Sequence, residues 1–145
     1  MYIHRELEAQ VLSALKAFPS LVLTGPRRAG KTSLLRRLLP RATYHLLEDP
    51  DLIARLRSDP QGFLDGVRTP VILDEVQNVP EVFAHVRSRI DRTPRIKGQW
   101  ILTGSQEAPL MQGVSESMAG RAAILQLLPL RSEEHTSELQ SRQYL

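Results

Sequence analysis

The residues most able to do chemistry stand together near the N-terminus: Gly25, Pro26, Arg27, Arg28, Ala29, Gly30, Lys31 and Thr32, followed by Ser33. They fit the pattern G-x-x-x-x-G-K-[ST], which wraps backbone N–H groups around a phosphate chain. Gly25 and Gly30 allow the backbone angles that such a cradle needs. A helix starting near Lys31 would add its positive dipole end. Lys31 is the side chain that would reach β- and γ-phosphates, and the Thr32 hydroxyl is a ligand for Mg²⁺. The expected cofactors are therefore ATP and Mg²⁺, held by residues 25–33.

A second constellation lies about forty residues on. Val71, Ile72 and Leu73 form an apolar run that ends in Asp74 and Glu75, which has the form of a Walker B segment. Asp74 would hold Mg²⁺ through water. Glu75, one residue further and free of the metal, would orient and deprotonate an attacking water. A third polar pair, Ser105 and Gln106, follows the apolar run Trp100, Ile101, Leu102 and Thr103. Either side chain is placed to sense a γ-phosphate or to position water.

These groups need a scaffold, and the hydropathy pattern supplies one. Leu7, Val11, Leu12, Leu15 and Phe18 recur at helical spacing over residues 5–18, and Pro19 ends that helix. Leu21 to Thr24 is the first strand, apolar throughout as in a strand buried on both faces. The glycine-rich loop and a helix running to Pro40 follow. Tyr44 to Leu47 reads as a second strand, and the acidic, proline-containing start at residues 48–51 opens another helix. Residues 61–69 read as a short helical turn and a loop. Val71–Leu73 is the third strand, and a helix starting near Pro80 buries Val82, Phe83, Val86 and Ile90. Trp100–Thr103 is the fourth strand. Residues 107–120 are expected to form a helix or two short ones, broken near Gly113. Ala122–Leu128 is the fifth strand. Strands alternating with helices give a parallel sheet covered on both faces. Right-handed crossovers then bring Gly25, Asp74 and Ser105 to one edge, where open α/β sheets bind ligands.

Composition narrows the possibilities further. The 145 residues are one domain's worth of chain, 41% hydrophobic and 24% charged, as in an ordinary soluble protein. No apolar run approaches a membrane span, and the N-terminus lacks a signal-peptide pattern. The absence of cysteine excludes disulfides and thiolate metal sites and fits a cytoplasmic location. The net charge of +3 is only a weak pointer to nucleic acid.

Four segments occur here in order: Leu23 to Thr32, Leu73 to Gln77, Leu102 to Gln106, and Ser117 to Arg121. Together they resemble a family of bacterial and archaeal AAA+-type P-loop ATPases. The resemblance covers residues 1 to about 130. It implies the P-loop NTPase three-layer α/β/α fold, with five parallel strands in the order 5-1-4-3-2. It places Gln77 in an Asp-Glu-x-Gln signature and Arg121 at the end of a Ser-x-Ala-Gly-Arg signature. In AAA+ relatives that second region commonly supplies an arginine finger to a neighbouring subunit, which implies a homo-oligomer and a catalytic role for Arg121. Members of the family normally continue into a second domain, likened to a nuclease fold. Residues 131–145 instead resemble the translation of a sequencing adapter and are expected to be a non-native tail outside the fold.

The resulting expectation is Mg-dependent ATP binding and hydrolysis by an AAA+-like module. One alternative is a phosphotransferase on the same loop, although Glu75 favours water as the acceptor. Another is a nucleotide-dependent module that binds DNA or protein without significant turnover. Arg87, Arg89, Arg92 and Arg95 would then form its basic patch, or else a solvated helix face.

Overall fold

A computed structural model describes residues 2–26, 30–105, 108–127 and 139–143. The first helix, α1 (Tyr2–Ala17), buries Leu7, Val11 and Ala14, spaced four and three residues apart on one face. Strand β1 (Ser20–Thr24) is buried along its whole length. It leads through the glycine-rich loop to α2 (Lys31–Leu38) and then β2 (Thr43–Leu46). Helix α3 (Pro50–Ser58) is capped by Asp49, whose carboxylate accepts from the Asp51 N–H at 3.0 Å, with Pro50 at the first helical position. Asp59 caps α4 (Pro60–Asp65) in the same way through the Gly62 N–H. Strand β3 (Val71–Asp74), a single 3-10 turn (Val76–Asn78), α5 (Val82–Arg92), β4 (Trp100–Gly104), α6 (Ala108–Ser117) and β5 (Ala122–Leu127) follow.

Strands β2, β3, β4, β1 and β5 lie side by side in that order, all parallel. Read from the other side this is 5-1-4-3-2, the order of the P-loop NTPase fold. Alternation along each strand divides two cores. Leu21, Leu23, Ile72, Ile101, Ala123 and Leu125 pack with α1 and α2 on one face. Val22, Val71, Leu73, Trp100, Leu102 and Ile124 pack with α3, α4, α5 and α6 on the other.

Two features depart from the sequence reading. Helix α6 runs through Gly113 without a break. A Cβ on Gly113 would come within 3.2 Å of the Phe83 ring, so the glycine serves close packing against α5 rather than a bend. A sixth strand, β6 (Leu139–Gln143), pairs antiparallel with β5 and extends the sheet with residues expected to lie outside the fold.

Candidate functional site

The crossovers bring the loop after β1 and the ends of β2, β3 and β4 to one edge of the sheet. Gly25 is fixed there by its N–H to the Gly104 carbonyl, 3.2 Å away. A Cβ on Gly25 would meet the Leu127 carbonyl oxygen at 2.3 Å, so no other residue fits between the loop and β5. Gly30, with φ 95° and ψ 13°, takes the left-handed conformation that turns the chain into α2. Lys31, the first residue of α2, is 4% exposed and donates to the carbonyls of Gly25 and Pro26, both at 2.9 Å. The ammonium is thereby held against the first two residues of the loop. Ser33, next along α2, is exposed. Arg27, Arg28, Ala29 and Gln106 lie outside the described residues.

Asp74 is the hub of the site. Its side chain is buried, and three hydroxyl groups donate to it. The Thr32 Oγ1 and the Tyr44 hydroxyl reach Oδ2 at 2.7 and 2.5 Å, and the Thr103 hydroxyl reaches Oδ1. Three donors satisfy a carboxylate that burial alone would make costly. Burial, and then the adjacent Asp74 carboxylate, raise the Tyr44 pKa, so that hydroxyl stays protonated as a donor. The Arg36 guanidinium lies 4.6 Å from the centre of the Tyr44 ring and holds it from the other side.

Glu75 leaves the strand in the left-handed conformation, φ 61° and ψ 51°. For a residue with a side chain this costs on the order of 1–3 kcal/mol and needs surroundings that enforce it. The enforcement is visible. The Glu75 N–H donates to Thr103 Oγ1 at 3.1 Å, and Gln77 Nε2 donates to Glu75 Oε1 at 2.7 Å. The other end of the Gln77 amide, Oε1, accepts from the Ser105 N–H at 3.2 Å. One path of hydrogen bonds therefore runs from Thr32 through Asp74 and Thr103 to Glu75, Gln77 and Ser105.

The donor set suits a hard cation. A threonine hydroxyl that gives its proton to Asp74 keeps its lone pairs for a metal, and both groups offer oxygen. Among the described residues no cluster of three or more His, Asp or Glu side chains is arranged to hold a metal alone. Magnesium needs no such cluster, because it takes most of its ligands from phosphate and water.

A model of the AAA domain matches residues 17–136. This chain belongs to the AAA-domain family. It is a nucleotide-binding, ATPase-like module. It is also 34% identical over 144 residues to a protein of Mycobacterium bovis and to one of Mycobacterium tuberculosis, each described only as an uncharacterized protein. Both alignments cover 97% of this chain and 32% of the relative, so the chain spans about a third of the length of these relatives. The family match ends within the stretch 131–145, before β6.

Of the residues singled out in the sequence, the AAA fold gathers Gly25, Pro26, Gly30, Lys31, Thr32, Asp74, Glu75, Gln77 and Ser105 at one edge. Arg121 is elsewhere. It immediately precedes β5, at the opposite edge of the sheet, and its guanidinium pairs with Asp91 at 2.7 and 3.2 Å and donates to the Ala119 carbonyl at 2.9 Å. The length of β1, roughly 16 Å for five residues, separates that edge from the loop. Tyr44 and Thr103 were missed as site residues. A buried threonine at the end of an apolar strand is the one signal that pointed to Thr103. For Tyr44 only the pairing of β2 with β3, which sets Tyr44 opposite Ile72, puts it two residues from Asp74 on the same face. Among the described residues no helix is long and apolar enough to cross a membrane.

Proposed function

We propose that this domain binds Mg-ATP in the loop 25–33 and hydrolyses it, with Glu75 as the general base. The observation that carries this reading is the hydrogen-bond path that links Thr32 and Asp74 to Glu75 and Ser105. Lys31 presents its buried ammonium to the β- and γ-phosphates. Thr32, and Asp74 through water, would hold Mg²⁺, which when bound neutralises charge on the β- and γ-phosphate oxygens. Glu75 accepts a proton from water as the water oxygen bonds to the γ-phosphorus and ADP leaves. Gln77 aims the Glu75 carboxylate, and Ser105, beside Gln106, reports on the γ-phosphate. Arg121 takes no part in the chemistry of its own chain, and a role as an arginine finger requires a second copy.

The test separates binding from chemistry. Glu75→Gln keeps shape and removes the base, so it should bind a fluorescent ATP analogue with wild-type affinity and release phosphate about 10²-fold more slowly or worse. Asp74→Asn should weaken Mg²⁺ dependence and binding together. Wild-type turnover in Glu75→Gln, with normal Mg-ATP binding in Asp74→Asn, would remove both acids from the mechanism.

A further inference from the structure

The edge of the sheet away from the nucleotide loop carries an uncompensated row of cations. Five connections enter the parallel strands there, at residues 16–19, 39–42, 65–70, 91–99 and 117–121. They contain Lys16, Arg41, Arg68, Arg92, Arg95, Lys97 and Arg121 but only two acids, Asp65 and Asp91. Both acids are taken: Asp65 by Arg89 at 2.5 Å and Asp91 by Arg121. Lys16, Arg41, Arg68, Arg92, Arg95 and Lys97 are exposed, and among the described residues none has an acidic partner.

Backbone hydrogen bonds lace these connections side by side in sheet order. Thr43 N–H donates to the Pro70 carbonyl, Val71 N–H to Gln99, Gln99 N–H to Pro19, and Ser20 N–H to Arg121. With neighbouring strands about 4.8 Å apart, the five span about 19 Å. The cations thus form a row, Arg41, Arg68, Arg95 with Lys97, then Lys16. Helix dipoles account for Lys16 and Arg92 at helix ends, but Arg41, Arg68, Arg95 and Lys97 are in loops. Within the row a cleft of about 230 Å³ is lined in part by Thr69, Arg92 and Thr93, with the neutralised Asp65–Arg89 pair on its wall. Threonine hydroxyls beside arginine are the usual donors to phosphate oxygens.

We propose that this edge docks the phosphate backbone of a nucleic acid, without reading its sequence. A line of cations drawn from successive loops matches a ligand with evenly repeated charge, and duplex DNA carries one phosphate per about 3.4 Å of each strand. This surface is separate from the nucleotide site and does not depend on how that site works.

Fluorescence anisotropy with a labelled 20-base-pair duplex of mixed sequence, over a potassium chloride series, tests the proposal. The wild-type chain should bind with a log–log salt slope of about −4, corresponding to four or five phosphate contacts. Arg68→Ala/Arg95→Ala/Lys97→Ala should reduce the slope by about 2.7 and the affinity at 0.1 M salt more than tenfold. Arg5→Ala/Arg37→Ala/Arg55→Ala changes net charge equally at helix surfaces and should keep the wild-type slope. Thermal melts confirm that each variant is folded. Failure to bind DNA at 50 mM salt, or equal losses in the two triple variants, overturns the proposal. So does equal binding to vesicles of anionic phospholipid, which would make the row a membrane-facing surface.

Discussion

The two edges of the parallel sheet are built on opposite principles. At the edge reached by the strand ends, a buried carboxylate is saturated by hydroxyls, a glutamate is held in a left-handed conformation, and a lysine is folded into its own loop. Polar groups there are concentrated and mutually bonded. At the edge where the strands begin, charges are spread over five loops, most exposed to water, and two neutralised pairs tie α4 to α5 and α5 to the loop before β5. The first arrangement fixes a few atoms closely, as chemistry on a single phosphate chain requires. The second covers distance, as contact with an extended charged surface requires.

The largest contrast should come from Lys31. At 100 times its dissociation constant a ligand stabilises the folded state by about 2.7 kcal/mol, which raises the melting temperature by several degrees. Lys31→Ala should lose that increment for Mg-ATP altogether. Variants in the cationic loops should keep it. Equal Mg-ATP stabilisation of Lys31→Ala and wild type, measured by scanning fluorimetry, would dissolve the distinction between the edges.

Much of this was legible in the sequence. Patterns local to the chain declare themselves: Gly25, Gly30, Lys31 and Thr32 through spacing, and Asp74 and Glu75 through an apolar run ending in acids. The part set by pairing between strands was not. Tyr44 joins Asp74 only because β2 lies against β3 in a particular register. Gln77 was visible as part of a signature, but its bridge from Glu75 to Ser105 depends on β4 standing beside β3. Gly113 misled because glycine weakens a helix in isolation, whereas here it admits the Phe83 ring. Strand β6 had no alternating pattern to announce it. An open sheet edge such as that of β5 accepts main-chain bonds from an extended segment with little regard for its side chains.

A smaller effect compares two buried hydroxyls, one at each edge. Thr103 donates to the Asp74 carboxylate and accepts from the Glu75 N–H. Ser20 donates only to the Arg121 carbonyl, at 2.8 Å. Thr103→Val leaves a charged oxygen and a strained N–H short of partners and should cost about 2–3 kcal/mol, against about 1 kcal/mol for Ser20→Ala. Denaturant titration of the two variants checks the ordering. Tyr44 adds a pH signature. Its folded pKa is raised, so the unfolded chain loses the phenolic proton first. The contribution of Tyr44 is full below pH 10 and declines as pH rises above it. Tyr44→Phe should flatten that alkaline decline.

The smallest effect belongs to Arg121. Its hydrogen bonds hold the Asp91 pKa below the ordinary carboxylate value. A depressed carboxylate contributes stability above its unfolded pKa and loses it as pH falls through the folded value. The pair is partly exposed, so Arg121→Ala should cost less than about 1 kcal/mol near neutral pH. That difference should fade below about pH 4, near the ordinary carboxylate pKa. Hydrolysis supplies the sharper reading. If Arg121 serves only its pair with Asp91, the turnover per molecule of Arg121→Ala equals that of wild type at every protein concentration. If Arg121 completes the site of a neighbouring copy, wild-type turnover rises with concentration and Arg121→Ala stays flat. Arg121 is bonded through Nε, Nη1 and Nη2, which favours the first outcome. Reaching a neighbour's phosphate would first require breaking those bonds.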